Sequence, residues 1–401
     1  MRSISKILQY QNTETALPNI FDKGISQNLQ SVHCQIFVFF VPNFGRMTNG
    51  FALTTSHFAL TTSNFGLTTS DFALFITGAT GFVGAAMTRH FAAAGYQVTG
   101  SGRVAAPAAL LEVAGYHLAD ISRPIAPVQT DVVIHAAAVV SDTASETALQ
   151  AANVAGLRHV YEATRACRLF IYISSSSVYD TRHVEHVEDE PVALPLLSAY
   201  GRSKRMAEDW LIQQDWSDRT LIILRPRAVY GPGDRVLLPR LLRLVRAGRV
   251  LIPGNMRVQS SLTHVGNLCA AVEHAIGHYT QQPGGVHVFN VADAAPYDMR
   301  AAVGGLLSAV YGQELDFVEM PLTSLRVFAE IMKKLRIPAS ITPMSLAVVS
   351  QNNILQVEKI TQTIGFQPLL NLWDEMGNIG AWAQRAGEKA LRAADPRLPW
   401  M

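Results

Sequence analysis

Continuous apolar runs in this chain alternate with stretches that repeat on a helical period. "DFALFITG" (71–78), "TDVVIHAAA" (130–138), "RLFIYISSSSVY" (168–179), "TLIILRP" (220–226) and "VHVFNVAD" (286–293) are the runs. A strand covered on both faces reads this way, whereas a strand with one wet face alternates. Between the first two runs, Met87, Phe91 and several alanines give one helix an apolar face. Gly95 then supplies a stop, and "QVTGSGR" reads as a second strand. Asn153 opens "NVAGLRHVYEATRAC", a further helical pattern. Buried strands joined through helices form a parallel sheet, so the pattern predicts a doubly wound α/β fold. Ligands of such folds bind outside the carboxyl ends of the strands.

The first strand emerges from a repeat. Phe51, Phe58, Phe65 and Phe72 stand seven apart. A coiled coil needs apolar residues alternately three and four apart, but Phe, Ala and Leu are consecutive in each copy. The copies drift at one position (His57, Asn64, Asp71), as duplicated coding sequence does. Residues 1–70 are therefore expected to be a poorly ordered extension, upstream sequence translated from too early a start, with Met47 as a later start. The run "QIFVFFV" (35–41) falls far short of the ~20 residues that span a bilayer. It also lies too deep for a secretory signal. No integral membrane span and a cytoplasmic location are the expectations. The amphipathic, basic stretch "LRVFAEIMKKLRI" (325–337) reads as membrane contact or as a cover over a pocket or core face.

Composition narrows the partners. With 401 residues, 49% hydrophobic and 16% charged, a large core is available. A net charge of +2, without a basic block, argues against nucleic acid. Cys34, Cys167 and Cys269 form no CxxC pair, so neither a disulfide framework nor a zinc site is expected.

Two constellations carry chemistry. Gly78, Gly81 and Gly84 follow Leu74-Phe75-Ile76 directly and open the first helix. Glycines in that place let the backbone approach a pyrophosphate, whose charge is met by the N–H groups of the helix start. Tyr200 and Lys204, in "SAYGRSKRMAEDWL", lie one helical turn apart on one face. A nearby ammonium lowers a phenol pKa from ~10 and makes it a usable acid/base for an alcohol or carbonyl oxygen.

Taken in order, TGATGFVG, HAAA, Asn153, SSSSVY, YGRSK and "LRPRAVYGPGD" resemble the extended short-chain dehydrogenase/reductases. That group comprises epimerases, dehydratases and 3β-hydroxysteroid dehydrogenases, and the likeness spans about residues 72–385. It implies a Rossmann-type NAD(P)-binding domain over 71–225, completed by about 265–295. A smaller, mostly C-terminal substrate-binding lobe would come from 226–264 and 296–401. By the same resemblance Ser175 is the catalytic hydroxyl, Tyr200 the acid/base, Lys204 its activator and ribose ligand, and Asn153 the support of the proton path. Gly78, Ala79, Thr80, Gly81, Phe82, Val83, Gly84, Arg103, Asp120, Ile121, Ala136, Ala137, Ala138, Tyr200, Lys204 and Pro226 would line the cofactor. Asp180 departs from the family pattern, which has glycine after VY. Helix-mediated dimers, frequent in that family, make a homodimer the assembly to test for.

Absences select the chemistry. Dehydratases of the family carry Asp-Glu just after the catalytic hydroxyl, where Ser176-Ser177 stand here. Nucleotide-sugar epimerases present an Arg-Asp pair where Ser260-Ser261 stand, leaving Arg257 or Arg235 as substitutes for a phosphate clamp. His264-Val265-Gly266-Asn267 resembles the 3β-hydroxysteroid dehydrogenase-like branch. Oxidation or reduction of an apolar or non-nucleotide small molecule is the favoured reading. A nucleotide-sugar epimerase and a non-catalytic NAD(P)-binding regulator are the alternatives. No acid follows the second strand, only Ser101 and Arg103, which tilts the cofactor toward NADP rather than NAD. Asp120, in "LADIS", resembles the family's aspartate that faces the adenine, or caps a turn. His135 is expected to fill a strand end. His183 and His186, with Glu185, Glu188, Asp189 and Glu190, are expected in a solvated charged loop rather than a metal site. Ser174, Ser176 and Ser177 are expected to satisfy local backbone.

Overall fold

The computed structural model describes residues 72–141, 144–334, 346 and 350–401; the repeats of 1–70 and Met47 lie outside the described residues. Seven strands form the central sheet: β1 (Ala73–Thr77), β2 (Gln97–Gly102), β3 (Gly115–Leu118), β4 (Val132–His135), β5 (Leu169–Ile173), β6 (Thr220–Pro226) and β7 (Gly285–Val291). Their order is β7-β6-β5-β4-β1-β2-β3, and every neighbouring pair is parallel. This is the doubly wound Rossmann-type sheet, with its order reversing between β1 and β4.

Strand periodicity divides the core. Leu169, Ile171 and Ile173 of β5 join Ile76, Met87, Phe91, Ile134 and Leu224 on one face. Phe170 and Tyr172 turn to the other, against Val133, Leu157, Leu211 and Ile223. Helices α1 (Phe82–Ala93) and α4 (Val265–Tyr279) cover the first face; α2 (Gly156–Ala163) and α3 (Ala199–Ile212) cover the second. The edge strand β3 has no apolar run in the sequence because most of it faces solvent, with Leu118 68% exposed.

Asn153 does not open its helix. Ser145 caps a helical turn at Glu146–Gln150 through the Ala148 N–H, and a π-helical turn (Ala151–Ala155) leads into α2. The extra residue in that turn widens the coil, a feature common at functional sites. A second apolar core gathers Leu238, Val250, Ile252, Leu306, Leu307, Trp382 and Leu391. It is built on α5 (Met299–Tyr311), α7 (Leu372–Ala386) and a small sheet of Val245–Arg246, Arg249–Pro253 and Asp316–Met320. Between α5 and α7 in the chain, α6 (Leu322–Lys334) buries Ala329 but exposes Val327, Phe328 and Ile331. Residues 335–337 of that amphipathic stretch lie outside the described residues. Among the described residues no helix is long and apolar enough to cross a membrane.

Candidate active site

The glycine turn sits at the reversal of the sheet. Gly78 adopts φ +73°, and a Cβ there would lie 2.9 Å from the Ala137 Cα. A Cβ on Gly84 would lie 2.2 Å from the Gly78 carbonyl oxygen, so neither position tolerates a side chain without movement. Gly81 is the N-cap of α1 and supplies no side-chain acceptor. The first-turn N–H groups at Phe82, Val83 and Gly84 therefore have no side-chain cap, a donor set suited to a phosphate. Ala79 donates its N–H to the Ser101 carbonyl at 2.9 Å, and Thr80 reaches across to Gly102. The chain's far end also arrives here: Trp400 Nε1 donates to the Ala79 carbonyl at 3.0 Å.

A continuous set of contacts joins this turn to Lys204. The Ala137 N–H donates to Thr77 Oγ1 at 3.2 Å, placing the Ala136–Ala138 loop beside β1. Thr77 Oγ1 meets His135 Nδ1 at 2.8 Å. His135 stacks on Tyr172 with ring centroids 5.8 Å apart, and the Lys204 ammonium lies 4.4 Å from the Tyr172 centroid. Lys204 Nζ donates to the Ile173 carbonyl at 2.7 Å. Burial pulls the Lys204 amine down to about 7, against the opposing pull of Glu208. Burial, and then Lys204, hold His135 near about 3, so it fills the strand end as a neutral ring.

The serine loop meets α3 because Gly201 has no side chain. A Cβ there would lie 2.1 Å from the Ser177 carbonyl oxygen, the closest clash among the site's glycines. Ser198 caps α3 through the Gly201 N–H at 3.0 Å, which fixes the entry to the helix. Half-buried Tyr200 precedes that glycine and lies within electrostatic reach of Tyr172. Ser175 Oγ accepts the Ser177 N–H and donates to Ser177 Oγ, both at 3.1 Å. Asn153 accepts the Val139 N–H at 2.8 Å and donates to Ser203 Oγ at 2.9 Å, pinning α3 to the loop after β4. Ser174 departs from expectation: its hydroxyl donates to Glu208, which pairs with Arg225 at 2.7 Å, all three being buried. That network needs partners distant in sequence, so no local pattern could announce it.

Other predicted residues spread along the rim. Pro226 ends β6 and is buried, whereas Arg103 is exposed beyond β2. Asp120 caps a turn by accepting the Ser122 N–H at 3.0 Å, and the carbonyl of neighbouring Ile121 faces the His159 ring at 2.8 Å. The 183–190 segment is solvated only in part: His183, Glu185 and Asp189 are exposed, whereas His186 and Glu188 are buried. His186 is fully buried, stacks on Tyr179 and meets Glu190, while Glu188 accepts the Asn290 N–H. Pairing of Glu185–His186 with Ile354–Leu355 draws the segment inward. Of the two arginines expected to stand in for a phosphate clamp, Arg257 is exposed and Arg235 reaches the Ala394 carbonyl. The arginine beside Ser260 is Arg227, its Nε donating to Ser260 Oγ at 2.9 Å. The missed signal was an arginine just past the end of a fully buried strand.

A phosphate-binding turn at the reversal of a parallel sheet, with a serine loop and a Tyr-x-x-x-Lys helix on the same rim, defines a nucleotide-binding α/β protein of the doubly wound class. The chain belongs to the NAD dependent epimerase/dehydratase family, whose sequence pattern matches residues 74–292. It is 28% identical to the 2-alkyl-3-oxoalkanoate reductase of Stenotrophomonas maltophilia, over 63% of this chain and 80% of that protein. It is 26% identical to a 4-hydroxy-2-methyl-3-oxo-4-farnesyl-3,4-dihydroquinoline-1-oxide ketoreductase of Stigmatella aurantiaca, over 80% and 96%. The same fold occurs in the UDP-glucose 4-epimerase of Bifidobacterium longum, solved with NAD+ and UDP. Its TM-score is 0.61 at 18% identity, over 78% of this chain and 98% of that one.

Proposed function

We propose that this protein is an NAD(P)-dependent oxidoreductase that interconverts an alcohol and a carbonyl on a non-nucleotide substrate. The carrying observation is the contact path from the glycine turn through Thr77, His135 and Tyr172 to Lys204, with Ser175 on the adjoining loop. A bound nicotinamide supplies or accepts the hydride. Tyr200 gives its phenolic proton to the carbonyl oxygen, or takes one from the alcohol, while Ser175 hydrogen-bonds that oxygen. Lys204 in its ammonium form favours the phenolate and so holds Tyr200 in the working range. Asn153 keeps α3 in register with the loop after β4.

In this reading residues 71–225, with about 265–295, hold the dinucleotide, and 226–264 with 296–401 cover the substrate. The β2 end offers Arg103 and no carboxylate, which favours NADP. The ketoreductase and oxoalkanoate reductase relatives favour reduction of a ketone over epimerisation. The test is stopped-flow absorbance at 340 nm with NADH and NADPH against long-chain 3-oxo acids, aryl ketones, sterols and UDP-sugars. Cofactor oxidation with a ketone supports the reading. Turnover of a UDP-sugar without net absorbance change would replace it with the epimerase.

A further inference from the structure

Buried arginines normally keep a carboxylate beside them, because an isolated guanidinium out of water is costly. Arg225 follows the rule, pairing with Glu208. Arg227, two residues on, does not. It is only 9% exposed, and among the described residues its side chain makes one hydrogen bond, from Nε to the neutral Ser260 hydroxyl. Neither Nη group makes a hydrogen bond among the described residues, and neither is among the fully enclosed unpaired atoms, so the fork is open to two oxygens. Burial alone acts on the group and pulls it down to about 10.

Enclosed polar atoms without partners lie close by. Ser260 bridges to Asn353, whose buried Oδ1 has no partner, and the buried Nε2 of His186 has none either. Next to Arg227, Ala228 adopts φ +44°, a left-handed conformation that a residue with a Cβ takes only at some cost. The backbone is thus strained where it aims this side chain. Arg227 follows Pro226 at the end of β6, and β6 pairs with β5 through Ile173↔Leu224. Neighbouring strands lie ~4.8 Å apart. Arg227 and Ser175 therefore share one stretch of the rim.

We propose that Arg227 and Ser260 form a carboxylate subsite, so that the substrate is an oxo or hydroxy acid rather than a neutral ketone or a nucleotide sugar. The inference rests on the alcohol–carbonyl reading above and deepens it. Two relatives act on acids by name: the 2-alkyl-3-oxoalkanoate reductase and a sterol-4-alpha-carboxylate 3-dehydrogenase, the latter 31% identical over 30% of this chain and 36% of that protein. One carboxylate in the substrate supplies the anion that the fold omits.

The experiment compares wild type with Arg227→Met on 3-hydroxydodecanoate and on its methyl ester, with NADP+ and with NAD+. Wild type is expected to prefer the acid. Arg227→Met is expected to raise KM for the acid on the order of 10²-fold, with kcat little changed and the ester unaffected. A structural arginine would behave otherwise, so thermal melting is read in parallel. Removing an unpaired buried cation is expected to leave the melting temperature equal or higher, and Arg227→Lys is expected to fall between the two proteins in KM. Equal KM for acid and ester in wild type would overturn the subsite. So would a loss shared by acid and ester in Arg227→Met, a lowered melting temperature with unchanged acid KM, or a selective loss of UDP-sugar binding. If no carbonyl or hydroxy compound is turned over, the oxidoreductase reading fails by itself. Dodecanoate is then the probe: an upward melting shift in wild type, abolished in Arg227→Met, supports the subsite, and its absence rejects it.

Discussion

The approach of α3 to the serine loop is the tightest tolerance in the site, and Gly201→Ala tests it. The added Cβ would stand 2.1 Å from the Ser177 carbonyl oxygen. A carbon–oxygen contact of this kind normally lies at about 3.3–3.6 Å, so the helix start and the loop must separate by roughly 1.2 Å or more. Overpacking of that size costs about 1–3 kcal/mol of stability. The catalytic cost is larger in proportion, because a displacement of about 1 Å between reacting groups costs ~10²-fold in rate. The assay is kcat/KM on the best ketone found, alongside dinucleotide titration by protein fluorescence and thermal melting. Turnover is expected to fall about a hundredfold while dinucleotide affinity holds, since Gly78 and Gly84 are untouched. Near-normal turnover in a variant of normal stability would refute the claim that this contact sets the geometry.

Glu208→Gln leaves Arg225 charged and buried without its anion, and is expected to cost about 3–5 kcal/mol in guanidinium denaturation. Trp400→Phe keeps the ring over Arg89 but removes the donor to the Ala79 carbonyl. Dinucleotide affinity is expected to weaken by about fivefold, the worth of one ~1 kcal/mol hydrogen bond, in a fluorescence titration. Lys204 titrates at about 7 in the folded chain, below its unfolded value of ~10.4. The folded protein thus binds fewer protons across that window, and the burial penalty, complete below pH 7, is relieved as pH rises. Relative to Lys204→Met, wild type is expected to gain up to about 1.4 kcal/mol per pH unit between 7 and 10. Parallel stability curves for the two proteins would contradict the shift.

The sheet was legible because strands covered on both faces are written as unbroken apolar runs, and "TLIILRP" matches β6 residue for residue. Strand β3 was not, since an exposed edge writes no such run. The glycine spacing announced the phosphate turn, yet which clash each glycine avoids depends on Ala137 and Gly78 being brought together by folding. The helix start at Ser145 and the π-turn that displaces Asn153 were not read from the sequence, and the π-turn has no sequence signature. Which part of 183–190 is enclosed was not legible, because His186 and Glu188 are buried by Asn290 and by strand pairing with Ile354–Leu355, more than 60 residues away. Arg227 escaped for a related reason. An arginine at a strand end reads as a surface residue until the packing around Ser260 and Asn353 encloses it.

One substitution bears on the whole account. Tyr200→Phe removes a single oxygen and leaves the ring that packs at the head of α3. Calorimetric titration with NADPH and NADH, run beside single-turnover absorbance at 340 nm, separates binding from chemistry. Dinucleotide affinity within a few-fold of wild type, with the hydride step slowed at least ~10²-fold, is the expected result. A hydride step at the wild-type rate would mean that this phenol moves no proton, and the assembly at the sheet's rim would have to serve another purpose.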